Sequence, residues 1–135
     1  MLAFPKPGKG TRLLERRARR VERDQALADA YAECDARDGG FCQVTGRYTS
    51  PGAPDARVRR EHHHLEPRSL SRERRSDIDN LITVCAEAHQ LITGGFLIVE
   101  GTDASKVLRF HWSERAPSAR PFSIKSKRWS QNDAD

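Results

Sequence analysis

Residues 60–69 read REHHHLEPRS and residues 77–89 read DIDNLITVCAEAH, and these two stretches decide the fold. Four of the five histidines in the protein lie within them. Imidazole is well suited both to binding a metal ion and to accepting a proton near neutral pH. A run of histidines on an extended segment, followed by an asparagine and a further histidine, therefore indicates a chemical site.

The pattern around these stretches predicts a small α+β fold. We expect strands at residues 58–65, 81–84, 96–100 and 106–112, and helices at residues 11–37 and 86–93. The last two strands are expected to form a hairpin around residues 101–103. Thr11 is in position to cap the long helix, and Gly39-Gly40 is the kind of sequence that ends one.

Three motifs in this order resemble the HNH endonucleases, a family built on a ββα-metal core. Its adjacent histidine pair and the Pro-Arg-Ser of its loop are matched by His63-His64 and residues 67–69. Its asparagine at the second strand is matched by Asn80, and its final histidine by His89. Residues 37–46 also resemble the family's lead-in, so that the resemblance covers roughly residues 37–95.

The resemblance implies a role for each of these residues. His63 and His89 are expected to be metal ligands, His64 the general base, and Asn80 the residue that fixes the loop orienting this base. Asn80 also has an ordinary alternative as a turn or helix cap. His62 is left over, with DNA contact or no function both open, and Glu61 and Glu66 fall outside the family's ligand pattern.

One divalent ion is the expected cofactor. Mg²⁺, Mn²⁺, Ni²⁺ and Zn²⁺ all fit, although two histidine ligands weakly disfavour Mg²⁺ alone. Many relatives also hold a structural zinc between two Cys-x-x-Cys pairs, but the corresponding positions here are Cys42, Thr45, Cys85 and Ala88. Because zinc needs four N or S ligands, we expect no structural zinc, and we expect Cys42 and Cys85 to pack together as small hydrophobic residues.

The arginines are clustered, whereas the acidic residues are scattered. The chain has 24 Lys and Arg against 19 Asp and Glu, a net charge of +5, and six of the arginines lie between Arg12 and Arg23. Such clusters are typical of a polyanion partner. For the helix, phosphate contact and a merely solvated face both remain open. Near the site, Arg60, Arg68 and Arg72 are the candidate DNA-binding residues, and ion pairing with Glu66 or Asp77 is the alternative for Arg68.

A length of 135 residues suggests one domain. We expect a basic extension without helix or strand at residues 1–10, the nuclease domain at 11–112, and a poorly ordered tail at 113–135. No apolar stretch approaches the ~18–20 residues that span a bilayer, and the N-terminus lacks the apolar segment of a signal peptide. With three cysteines, an odd number, the expectation is a cytoplasmic protein without a membrane partner.

The expected function is therefore metal-dependent hydrolysis of DNA, leaving 5′-phosphate and 3′-hydroxyl ends as the resemblance implies. Two alternatives come from other classes of protein. One is a nucleic-acid-binding module on the same fold without catalysis. The other is an accessory protein, for example in viral DNA packaging, whose nuclease activity matters only within a complex.

Overall fold

The computed structural model describes residues 5–6, 8–67, 70 and 72–125, and it confirms an α+β architecture. Its helices and strands are α1 (Lys9–Asp38), β1 (Arg60–His64), β2 (Leu81–Cys85), α2 (Ala86–Thr93), β3 (Leu97–Glu100) and β4 (Arg109–Trp112). They form two small antiparallel sheets, β1 with β2 and β3 with β4. The structure confirms the predicted hairpin, formed by β3 and β4. It also confirms the predicted order of two strands and a helix, which are β1, β2 and α2.

Helix α1 is longer at its N-terminus than the sequence predicts. It begins at Lys9, with Gly8 at the N-cap and no side-chain capping hydrogen bond, so the assignment of Thr11 as the cap is wrong. The C-terminus lies where it was predicted. Gly39 adopts a left-handed conformation with φ of 64°, which glycine reaches without steric strain, and its N–H bonds to the carbonyl of Asp35.

The two halves of α1 have different surroundings. Every residue from Lys9 to Ala26 is exposed to solvent. The buried residues all lie in the C-terminal half, at Leu27, Ala30, Cys34 and Asp38. We call residues 9–26 the arm. Since the first turn of a helix is costly to form and each further residue is not, we expect the packed half to act as the nucleus from which the arm extends.

Strand β2 is the centre of the molecule, and all five of its residues are buried. Leu81 packs on α1 with Ala30 and Cys34. Ile82 and Val84 point the other way, into a core that also contains Leu97, Leu108 and Phe122. A strand covered on both faces is expected to be largely apolar, which agrees with this strand, in which Thr83 is the one polar residue.

The segment after the hairpin lies against this core up to residue 125. Phe122 is buried and packs on Trp112, with 5.1 Å between the ring centroids. The N–H of Lys125 bonds to the carbonyl of Val44 at 3.0 Å. The sequence predicted a poorly ordered tail because isolated apolar residues among Ser and Pro carry no periodic signal. Residues 126–135 lie outside the described residues.

None of the helices within the described ranges is long and apolar enough to cross a membrane.

Candidate functional site

The structure brings His63 and His89 together. In the β1–β2 register His63 lies opposite Ile82, and its ring meets that of His89 edge to face, with 5.5 Å between centroids. Among the described residues the imidazole ring of His63 has no hydrogen-bond partner. Burial, together with the neighbouring His89 and His64, lowers the pKa of His63 to about 4, so its ring is neutral at physiological pH and keeps a lone pair.

Glu61 completes this face of β1. Its Oε1 lies 2.8 Å from Nδ1 of His89, and because a carboxylate only accepts, Nδ1 donates and Nε2 of the neutral ring carries the lone pair. The sequence reasoning placed Glu61 outside the ligand pattern and missed this contact. The two-residue periodicity of a strand, which puts Glu61 on the same face as His63, is the signal that could have found it.

His64 points to the opposite side of β1. Its Nε2 lies 2.9 Å from the carbonyl oxygen of Arg75, which can only accept a hydrogen bond. Nε2 therefore carries the proton, and in the neutral ring Nδ1 is the basic nitrogen. The ring also meets the edge of Tyr31 from α1, with 6.3 Å between centroids.

Asn80 is fully buried and holds the loop after β1 in place. Its Oδ1 accepts from the N–H of Glu66 at 2.7 Å, and its Nδ2 donates to the carbonyls of Glu66 and Arg74 at 3.1 and 3.0 Å. The carbonyl of the next residue in the chain, Arg75, is the partner of His64. Asn80 thus ties together both ends of the loop that orients this histidine.

His62, the histidine left without a role, packs against α1. Its Nε2 donates to Oδ1 of Asp35 at 2.7 Å, and its ring stacks on Tyr31 at 4.2 Å between centroids. Burial opposes the ionisation of Asp35, but the bond from His62 and the charges of His62 and Arg60 outweigh it and lower the pKa of this carboxyl. The three consecutive histidines therefore divide between two neighbours, α2 for His63 and α1 for the other two.

The three candidate DNA-binding arginines have different surroundings. The guanidinium of Arg60 donates to the hydroxyl and carbonyl oxygens of Thr49 at 2.9 and 2.7 Å and lies 3.5 Å from Asp35, which gives it a packing role. Arg72 is exposed to solvent. Arg68 lies outside the described residues, so its two alternatives both stand as predictions.

Cys42 and Cys85, the two cysteines that remain of the four-cysteine zinc motif, lie side by side, as predicted. The hydrogen bond between their thiols lowers the pKa of Cys42 and raises that of Cys85. Each sulfur also accepts a backbone N–H at 3.4 Å, from Thr45 and Ala88 respectively. Both side chains are fully buried in the core.

Within the described ranges, no group of three or more His, Cys, Asp and Glu side chains is arranged to hold a metal ion. The His63–His89 pair, backed by Glu61, places two imidazole rings side by side, with 5.5 Å between their centroids. Comparison with protein-family models, with curated proteins and with solved structures found no significant match to this chain.

Proposed function

We propose that the protein is a metal-dependent endonuclease that hydrolyses DNA phosphodiester bonds on a ββα-metal core of the HNH type. The observation that carries the proposal is the division of neighbouring histidines across one strand. His63 meets His89 on one side, while His64, on the other side, is held by a loop carbonyl. This arrangement separates two nitrogens suited to metal binding from one suited to proton transfer.

The His63 and His89 side chains fit a divalent ion. Both rings are half-buried, and the bond from His89 to Glu61 fixes the ring with Nε2 as the nitrogen left to coordinate. An ion held by these two nitrogens would keep its other coordination positions for water and phosphate oxygens. A divalent ion bound there supplies Lewis-acid polarisation of the phosphoryl group and charge neutralisation for the departing 3′ oxygen.

The chain itself supplies the base and its orientation. His64 removes a proton from the attacking water at Nδ1, because Nε2 is already occupied in donating to the carbonyl of Arg75. General-base catalysis of this kind contributes about 10²–10⁴-fold. Asn80 does not touch the reacting atoms in this proposal. It is a positioning residue that holds the loop carrying that carbonyl.

A plasmid-nicking assay with Mg²⁺, Mn²⁺, Ni²⁺ and Zn²⁺ tests the proposal. We expect His64→Ala to abolish nicking while metal affinity, measured by calorimetry, stays near the wild-type value. His63→Ala should lose both. His111→Ala is the matched control, because His111 is exposed on β4 and outside the site. Absence of nicking with every ion, or equal loss of metal affinity in both variants, would contradict the assignment.

A further inference from the structure

The arm carries six of its seven cations on one side. At about 100° per residue, Lys9, Arg12, Arg16, Arg19, Arg20 and Arg23 fall within an arc of about 100°. The seventh cation, Arg17, lies outside this arc, as do Glu15 and Glu22. None of these six cations forms an ion pair with a carboxylate in the part of the chain that the structure describes. We call the six residues the basic stripe.

The basic stripe continues the face by which α1 packs on the core. Leu27, Ala30, Cys34 and Asp38, the buried residues of the helix, fall within the same arc as the stripe. The exposed residues Leu14 and Val21 lie on the opposite side. The stripe therefore points in the direction of the body and overhangs it, whereas a cationic face that served only solubility could lie anywhere around the helix.

The overhanging stripe also lies next to the loop that holds His64. Arg75, whose carbonyl binds His64, pairs through its guanidinium with Asp24 at the inner end of the arm, 3.6 Å away. Tyr31, about two turns further along α1, contacts both His62 and His64. The arm and the candidate base are thus attached to the same side of β1.

We propose that the basic stripe binds the phosphate backbone of duplex DNA and holds it against the His64 side of the body. From Arg12 to Arg23 the helix rises about 17 Å, which matches about five base-pair steps of 3.4 Å. Unpaired guanidinium groups on a rigid helix suit phosphate oxygens, which they bind bidentately. We choose duplex DNA as the partner because the stripe is positively charged and the phosphate backbone is negatively charged. A second copy of this chain would present the same positive stripe, and two such stripes repel each other.

Binding measured without cleavage tests the stripe separately from the proposed nuclease. Fluorescence anisotropy of a 25-base-pair duplex in EDTA, over a salt series, compares the wild type with Arg12→Gln, Arg16→Gln, Arg19→Gln and Arg23→Gln combined. Glutamine retains helix propensity, and circular dichroism verifies that the helix persists. The control combines Arg57→Gln, Lys106→Gln, Arg109→Gln and Arg115→Gln, four exposed cations elsewhere that change the net charge equally.

We expect the slope of log K against log salt to be less steep in the stripe variant by ~3.6, because four phosphate contacts are lost at ~0.9 each. Affinity at 100 mM salt should fall at least about tenfold. The control should keep the wild-type slope. An unchanged slope in the stripe variant, or an equal loss in both, overturns the proposal. A change of molecular mass in light scattering without a change in DNA affinity assigns the stripe to a second copy instead. Binding without nicking would count against the nuclease alone, and nicking with an unchanged slope against the stripe alone.

Discussion

Glu61 on β1 accepts a hydrogen bond from His89 on α2, with 2.8 Å between Oε1 and Nδ1. A carboxylate behind a coordinating imidazole fixes the ring and raises its basicity, and its removal typically lowers metal affinity by about 10–100-fold. We therefore expect Glu61→Ala to weaken metal binding by this amount and Glu61→Gln, which keeps an acceptor, by less. Isothermal titration with Mn²⁺ or Zn²⁺ measures the effect.

The hairpin offers a matched control for this change. Glu100 lies 3.7 Å from Nδ1 of His111, a similar carboxylate and imidazole pair that is remote from the site. Glu100→Ala should leave metal affinity unchanged. Wild-type affinity in Glu61→Ala would show that the bond to His89 has no part in metal binding.

Asn80→Ala tests the support of the loop. The substitution removes three hydrogen bonds in a fully buried position and leaves the N–H of Glu66 and two carbonyls without this partner. We expect the free energy of unfolding to fall by about 2–4 kcal/mol, because buried polar groups that lose their partners cost about 1–3 kcal/mol each and part of this is recovered by water. Urea denaturation provides the measurement. The neighbouring Asp79→Ala, at a half-buried residue, should cost less than about 1 kcal/mol.

The attachment of α1 should weaken in acid. The folded pKa of Asp35 is lowered, so its ionised form stabilises the fold above the ordinary carboxyl pKa of 3.8, and this contribution is lost as pH falls through the lowered value. His62 and Arg60 face it from β1. We expect Asp35→Asn to destabilise the protein at pH 7, with a difference from wild type that shrinks towards pH 3. Urea melts at both pH values show this, with the exposed Glu33→Gln as control. A difference that is constant with pH would contradict it.

Restoring the two missing cysteines of the zinc motif tests the geometry of the Cys42–Cys85 pair. Thr45 and Ala88 each place a backbone N–H on one of the two buried sulfurs, at the positions where the zinc motif that the sequence resembles has cysteine. Thr45→Cys together with Ala88→Cys should produce a four-thiolate site that binds one zinc ion and raises the melting temperature, because metal bound only by the folded state stabilises it. Thr45→Cys alone is the control. No stoichiometric zinc in the double variant would mean that the two halves are too far apart or too tightly packed for a tetrahedron.

The sequence predicted the elements whose signal is local. Gly39 ends α1 because its αL conformation is a property of glycine, and β2 is recognisable from a short apolar run. The contact of Glu61 with His89 was missed because it depends on how α2 turns back onto β1, which no local pattern records. The role of His62 was likewise undecidable from sequence, since its partners Tyr31 and Asp35 lie about thirty residues away on α1.

The basic stripe and the buried residues of α1 share one face of the helix. The direction in which the stripe points relative to the body therefore depends on the number of residues between them. Any insertion between Asp24 and Leu27 rotates the arm relative to the body without changing its composition. One added residue turns the stripe by about 100°, away from the side of His64, whereas seven added residues turn it by only about 20° and lengthen the arm by about 10 Å. The two insertion variants would keep the same arginines, the same helix and the same core. Their affinity for DNA should therefore depend on the angle of the arm and not on its arginine content.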